Sequence, residues 1–128
     1  MLFDSSDIAE YILKNHPQAK KIVEVGIGFE DSVYREIKLK GLNAVATDIE
    51  PMDDAVTDDI TNPLLEFYED ADVIYSIRPN PEMIENIRKI AKTVGSDLII
   101  RLFSTDSQYK PNEMKLVNYK KAVLWTEP

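Results

Sequence analysis

The chain has 128 residues, 44% of them apolar and 30% charged, and its 23 Asp and Glu against 15 Lys and Arg leave a formal charge of −8. That size suits one globular domain, residues 1–128, and the negative field opposes nucleic acid, since Lys38-Leu-Lys40 and Lys120-Lys121 are too small as basic patches to outweigh it. With no cysteine, with Asp4 and Asp7 where a leader would carry positive charge, and with no run near the ~20 apolar residues that span a bilayer, the expectation is a cytoplasmic protein without disulfides or thiol chemistry.

Asp7 to Asn15 predicts a helix, with Ile8, Ile12 and Leu13 on one face and Asp7 and Glu10 at capping-box spacing. Pro17 closes it. Lys21 to Val25 is a mostly apolar strand of the kind buried on both faces. Asp31 or Ser32 caps a second helix carrying Val33 and Ile37, and Gly41 stands just past its end. Asn43 to Thr47 reads as a second strand ending at Asp48, Ala55-Val56 as a short third, and Pro63 to Tyr68 as a helical turn. Ala71 to Ile77 is the fourth strand. Asn80 as N-cap and Pro81 at the first helical position open a helix with an Ile84, Ile87, Ala91 stripe, which Gly95 ends. Asp97 to Leu102 is a fifth strand, residues 103–113 a polar loop, and Lys115 to Trp125 a terminal antiparallel hairpin turning at Asn118-Tyr-Lys-Lys121. Strands alternating with helices at this spacing imply an α/β fold with a doubly wound, mostly parallel sheet.

The stretch Lys21-Ile-Val-Glu-Val-Gly-Ile-Gly-Phe-Glu30 carries the most chemistry. A buried strand runs through an acid into a glycine turn and a helix start, an arrangement that places a nucleotide-like ligand on backbone amides. Gly26 and Gly28 permit positive φ and close approach of a ligand to the main chain. Glu24 lies mid-strand between valines, where an ionised carboxylate is costly unless paired or turned toward a charged ligand. Asp48 follows a second apolar run.

The order of these pieces resembles the Rossmann-like fold of S-adenosylmethionine-dependent methyltransferases, over nearly the whole chain and in pattern more than identity. The carriers are Val23-Glu24-Val25-Gly26-Ile27-Gly28, Ala46-Thr-Asp48 and Asp58-Asp-Ile60. With Asp72-Val-Ile-Tyr-Ser-Ile-Arg-Pro79, the chain also looks like an uncharacterised family of short archaeal proteins on this fold, a likeness that carries no substrate. The resemblance implies S-adenosylmethionine as cofactor. Glu24 would stand near the methionine amino group, Asp48 at the ribose hydroxyls, and Asp59 at the adenine amine, with Asp58 the second choice.

Three departures bear on the reading. A dinucleotide fingerprint wants Gly or Ala at position 31, where this chain has Asp31, an acid that would repel a pyrophosphate and so disfavours NAD. Ser76-Ile-Arg-Pro-Asn80 lacks the Asn/Asp-Pro-Pro-aromatic set of amino-methyltransferases. The chain is also short after the fifth strand, with little room for a substrate-recognition insert. Arg78, at the end of a central strand, could clamp a carboxylate or phosphate, or simply pair with Glu82 or Asp48. Arg78 and Ser76 would orient an acceptor. One histidine, His16, and no further acidic cluster argue against a metal. Trp125, Tyr119 and Phe103 read as packing residues. The alternative to a methyltransferase is a non-catalytic nucleotide-binding or ligand-sensing module, NAD-binding included, forming a homodimer through exposed apolar surface.

Overall fold

The computed structural model of the protein describes residues 2–50, 55–103 and 110–128. Helix α1 spans Ser5–Asn15, α2 Ser32–Leu39 and α3 Ile84–Val94. The strands are β1 Ile22–Val25, β2 Ala44–Asp48, β3 Val56–Thr57, β4 Val73–Ile77, β5 Asp97–Arg101, β6 Lys115–Tyr119 and β7 Ala122–Glu127. Single 3-10 turns occur at Leu65–Phe67 and Pro81–Met83. Of the loop expected over 103–113, residues 104–109 lie outside the described residues. No helix among the described residues is long and apolar enough to cross a membrane.

The strands form one sheet in the order β3-β2-β1-β4-β5-β7-β6. β3, β2, β1, β4 and β5 run parallel, while β7 is antiparallel to β5 and to β6. This is the mostly parallel α/β sheet with a terminal antiparallel hairpin that residue periodicity predicts. Strand alternation divides the core into two layers. Ile22, Val73, Tyr75, Ile77 and Ile99 face Ile8 and Ile12 of α1 and Val33 and Ile37 of α2. Val23, Val25, Ile74, Leu98 and Ile100 face Ile84, Ile87 and Ile90 of α3 and the buried Tyr68. Because β1 lies between β2 and β4, its C-terminal end is where the chain winds away in both directions, and ligands of such sheets gather there.

Local capping signals lose to long-range partners. The Asp7–Glu10 box does not form. α1 starts two residues earlier, the Asp7 carboxylate accepts the Lys121 N–H at 3.1 Å, and Glu10 accepts Tyr119 and Lys120 at 2.7 Å each. Asp4 holds the N-cap position without a side-chain cap; its oxygens instead accept the Arg101 guanidinium at 3.1 and 3.2 Å. Asp31 precedes α2 and likewise does not cap it, pairing with Arg35 at 2.7 Å. The third strand sits one residue later than expected, where Thr47 and Asp48 align with Val56 and Thr57.

Asp4 and Arg101 are 1% and 9% exposed. Removing one member strands the other's charge in the interior, whereas removing both does not. Asp4→Ala should therefore cost about 3 kcal/mol, and the Asp4→Ala/Arg101→Met pair clearly less. Urea unfolding of the three variants checks this. A single substitution as mild as the double would show that water solvates the pair.

Candidate functional site at the C-terminal edge of the sheet

After β1 the chain turns through Gly26 (φ +68°) and Gly28 (φ +53°) before entering α2. Both are left-handed, where a Cβ is strained. Among the described residues, a Cβ at Gly28 would meet nothing within 4 Å, and one at Gly26 only Met83 Cε at 3.7 Å. Conformation rather than crowding selects glycine here, and the space beside Gly28 is open.

The amides of this bend are not bare, as a cradle of free N–H groups would require. Gly26 N–H and Ile27 N–H both donate to the Thr47 carbonyl, at 2.8 and 3.1 Å, because the in-register parallel neighbour β2 ends opposite them. Gly28 N–H donates to Asp48 Oδ2 at 2.8 Å, and Glu50 N–H to Asp48 Oδ1 at 2.9 Å. The structure thus joins the glycine turn and Asp48 directly. Each Asp48 oxygen has accepted one hydrogen and keeps capacity for another. Ser76 is 1% exposed and its hydroxyl donates to the Val25 carbonyl at 2.8 Å, so it clips β4 to the end of β1.

Glu24 is 1% exposed, and neither carboxyl oxygen nor the hydroxyl of its cross-strand neighbour Tyr75 has a hydrogen-bond partner. Its other register neighbour is the buried Ala46. Burial pushes the Glu24 carboxyl up to about 8; the charges of Glu30 and Asp31 add to the rise, and the adjacent Tyr75 hydroxyl opposes it. The Tyr75 phenol is raised as well, chiefly by burial. Glu24 therefore lies behind the bend as a neutral acid at neutral pH.

Arg78 ends β4 in a left-handed conformation (φ +53°), uncommon for a side chain of its size. Its N–H donates to the Arg101 carbonyl at 2.5 Å, holding β4 and β5 together past their last regular pair. The side chain is 34% exposed, with its guanidinium 3.9 Å from Glu30 Oε1 and 5.4 Å from the Phe103 ring centroid. Its acid is thus Glu30 rather than Glu82 or Asp48. Glu30 also accepts the Ser32 N–H at 3.1 Å and the Ser32 hydroxyl, which holds its carboxyl below the usual range despite partial burial.

After β3 the two adjacent acids part company. Asp58 is buried: Oδ1 accepts the Leu64 N–H at 2.9 Å, Oδ2 accepts the Tyr68 hydroxyl at 2.5 Å, and that hydroxyl also reaches Thr47 Oγ1 at 3.2 Å. Asp59 is exposed and accepts the N–H and hydroxyl of Thr61 at 2.9 and 2.7 Å, which lowers its pKa. The Asp58 N–H bonds the Asp48 carbonyl at 3.0 Å, keeping this turn beside the end of β2. Glu24, the bend, Asp48, Asp59 and Arg78 therefore share one edge of the sheet, while Ser76 is spent on the scaffold. Among the described residues no group of three or more potential metal ligands occurs.

Glu24 links this site to stability. Unfolded, it ionises near 4.5; folded, near about 8. Between these values the unfolded chain binds fewer protons, so stability falls as pH rises through the window. Glu24→Gln removes the ionisation, and its stability advantage over the native protein should grow by about 3 kcal/mol between about pH 5 and pH 8. Urea midpoints at the two pH values measure it. A difference independent of pH would mean that the folded carboxyl titrates normally.

Residues 5–127 match the uncharacterised protein family UPF0146. The UPF0146 protein of Pyrococcus furiosus is 41% identical over 122 residues, covering 88% of this chain and 91% of its own. That of Methanothermobacter thermautotrophicus is 36% identical over 119 residues, covering 89% and 87%. Among solved structures, Streptomyces venezuelae DesVI superposes with a TM-score of 0.59 at 12% identity over 92% of this chain; the chain spans only 57% of DesVI. The glycopeptide N-methyltransferase MtfA, solved with sinefungin, gives 0.59 at 9% identity, covering 97% of this chain and 66% of its own. Synechocystis magnesium protoporphyrin IX methyltransferase, solved with S-adenosylmethionine, gives 0.54 at 9% identity, covering 95% and 75%. At such identities the likeness is one of fold, that of Rossmann-like S-adenosylmethionine-dependent methyltransferases. The sequence match speaks to lineage: the chain belongs to the uncharacterised archaeal family UPF0146.

Proposed function

We propose that the protein binds S-adenosylmethionine, or S-adenosylhomocysteine, against the Gly26–Gly28 bend, and that it serves methyl transfer to a small acceptor. The observation that carries this is the bond from Gly28 N–H to Asp48 at 2.8 Å, which gathers the glycine turn and a half-exposed carboxylate at the ends of adjacent parallel strands. The residues fit such a ligand. The space beside Gly28 is open. Asp48 has oxygen lone pairs left for two ribose hydroxyls, and Asp59 offers an exposed acceptor to an exocyclic amine. Glu30 and Asp31 make the approach negative, which suits a ligand bearing a sulfonium and an ammonium and opposes the pyrophosphate of NAD.

When bound, S-adenosylmethionine supplies an electrophilic methyl carbon: an acceptor lone pair forms the new bond, the carbon–sulfur pair stays on sulfur, and the acceptor's proton leaves to water. Such a displacement asks the protein mainly for alignment of the two partners. Arg78 would serve that task. Its strained backbone and the Phe103 ring hold the guanidinium at the edge of the site, still one-third open. Ser76 contributes by fixing the end of β1.

Calorimetry with S-adenosylhomocysteine, adenosine and NAD tests the reading. Saturable heat with the first is expected, and Asp48→Ala should weaken it at least ~tenfold, about 1.4 kcal/mol for a lost charge-assisted hydrogen bond. Asp48→Asn, which keeps one acceptor oxygen, should cost less. No heat with S-adenosylhomocysteine, or heat with NAD alone, overturns the proposal; unchanged affinity in Asp48→Ala removes that residue from the site.

A further inference from the structure

Phe103 has a second side. Beyond it, the end of β5, the β6–β7 hairpin and the start of α1 enclose a cleft of about 400 Å³, a volume within the range of small-molecule sites. Because β7 runs antiparallel to β5, the hairpin turn projects past the C-terminal end of the sheet, the same edge that carries the glycine bend. The walls are apolar: Phe3, Phe103, Leu116, Val123 and Trp125. Phe3 is 73% exposed, Val123 51% and Leu116 47%. Large apolar side chains left open around one concavity are a binding feature rather than ordinary surface.

The charges of the cleft divide in two. Arg101 lines it, but its guanidinium is already satisfied by both oxygens of Asp4. Lys110 and Lys121 also line it, and the side-chain ammonium of neither has a carboxylate partner among the described residues, the Asp7 carboxylate taking only the Lys121 backbone N–H. The chain carries a formal charge of −8, and the other lysine of the hairpin turn, Lys120, is paired with Glu10 at 2.7 Å. Two cations without a counter-ion among the described residues, set against an apolar wall, complement an anion that carries its own apolar body.

We propose that this cleft binds a small, flat aromatic carboxylate, its ring between the apolar walls and its anionic group at Lys110 and Lys121. Its assignment as the methyl acceptor's site rests on the function proposed above, since the Arg78–Phe103 contact is the partition between cleft and glycine bend; the binding itself does not.

Fluorescence titration tests the cleft. Anilinonaphthalene sulfonate supplies a ring system with an anion and phenylnaphthylamine the same rings without one. Trp125, the chain's one tryptophan, reports occupancy by energy transfer. Saturable binding at one site per chain is expected, tighter for the sulfonate. Lys110→Gln/Lys121→Gln should weaken the sulfonate about tenfold while leaving the neutral probe unchanged, as expected for two charge-assisted contacts at a half-open site. Leu116→Asp should weaken both. Absence of saturable binding, equal affinity for the two probes, or indifference to the lysine substitutions overturns the proposal. Parallel calorimetry with S-adenosylhomocysteine separates the two readings. If it binds and the cleft is inert, only this proposal falls. If the cleft binds with lysine dependence and S-adenosylhomocysteine does not, the anion site stands and its role as an acceptor site falls.

Discussion

The end of β1 is pinned from both sides, and the rest of the edge is arranged around that. On one flank Ser76 of β4 donates to the Val25 carbonyl; on the other the Thr47 carbonyl of β2 takes the N–H groups of Gly26 and Ile27. Four residues of strand are too few to fix a turn by their own ladder. These extra bonds carry the strand order outward for another two residues and set the angle at which the chain leaves for α2. Asp48 then ties the second glycine. Ordering of this kind is what a binding surface needs, since a ligand meeting a preset turn spends none of its binding energy on folding it.

Charge is distributed by a similar economy. The buried ion pairs lie where chain segments distant in sequence must meet. Asp4 with Arg101 fastens the start of α1 to β5, and Arg88 with Glu127 fastens α3 to the last strand, with Nε and Nη2 at 3.0 and 2.5 Å from the two carboxylate oxygens. Each is two-pronged, so geometry as well as charge is specified. Glu24 is the exception: a buried acid whose oxygens have no hydrogen-bond partner, kept neutral by burial. The core satisfies the oxygens of its buried Asp4, Asp58 and Glu127 and leaves those of Glu24 without a partner.

Much of the fold was legible because apolar runs of four to six residues alternate with helical stripes ending at glycine. Long-range choices were not legible. The hairpin after β5 follows from its sequence, but not that its second strand inserts next to β5, a pairing that sets Ile100 against Trp125. Asp7 and Glu10 have the spacing of a cap and serve the hairpin turn instead, because partners more than a hundred residues away offer charged bonds. At the site, residue type and strand position marked Glu24, Gly26, Gly28 and Asp48. Type alone could not show that Ser76 spends its hydroxyl on a neighbouring carbonyl, nor that the glycine amides are already taken. Glu30 carries no signal in the sequence, since a carboxylate at a helix entry is ordinary and only the fold brings Arg78 beside it. The cleft draws on four separate stretches of chain and has no spacing to read.

The strand order leaves β6 at one border of the sheet, with a backbone rim that no other strand of the described residues covers. Such a rim is a template on which further copies can stack, the first step toward fibrils. β6 opens with an exposed lysine, Lys115, and its turn holds Lys120 and Lys121. Identical chains laid in register would set each of these ammonium groups above its own image a few ångströms away. That repulsion gives the molecule a built-in resistance to growing end on end, and it weakens where salt is high or the lysines are acylated.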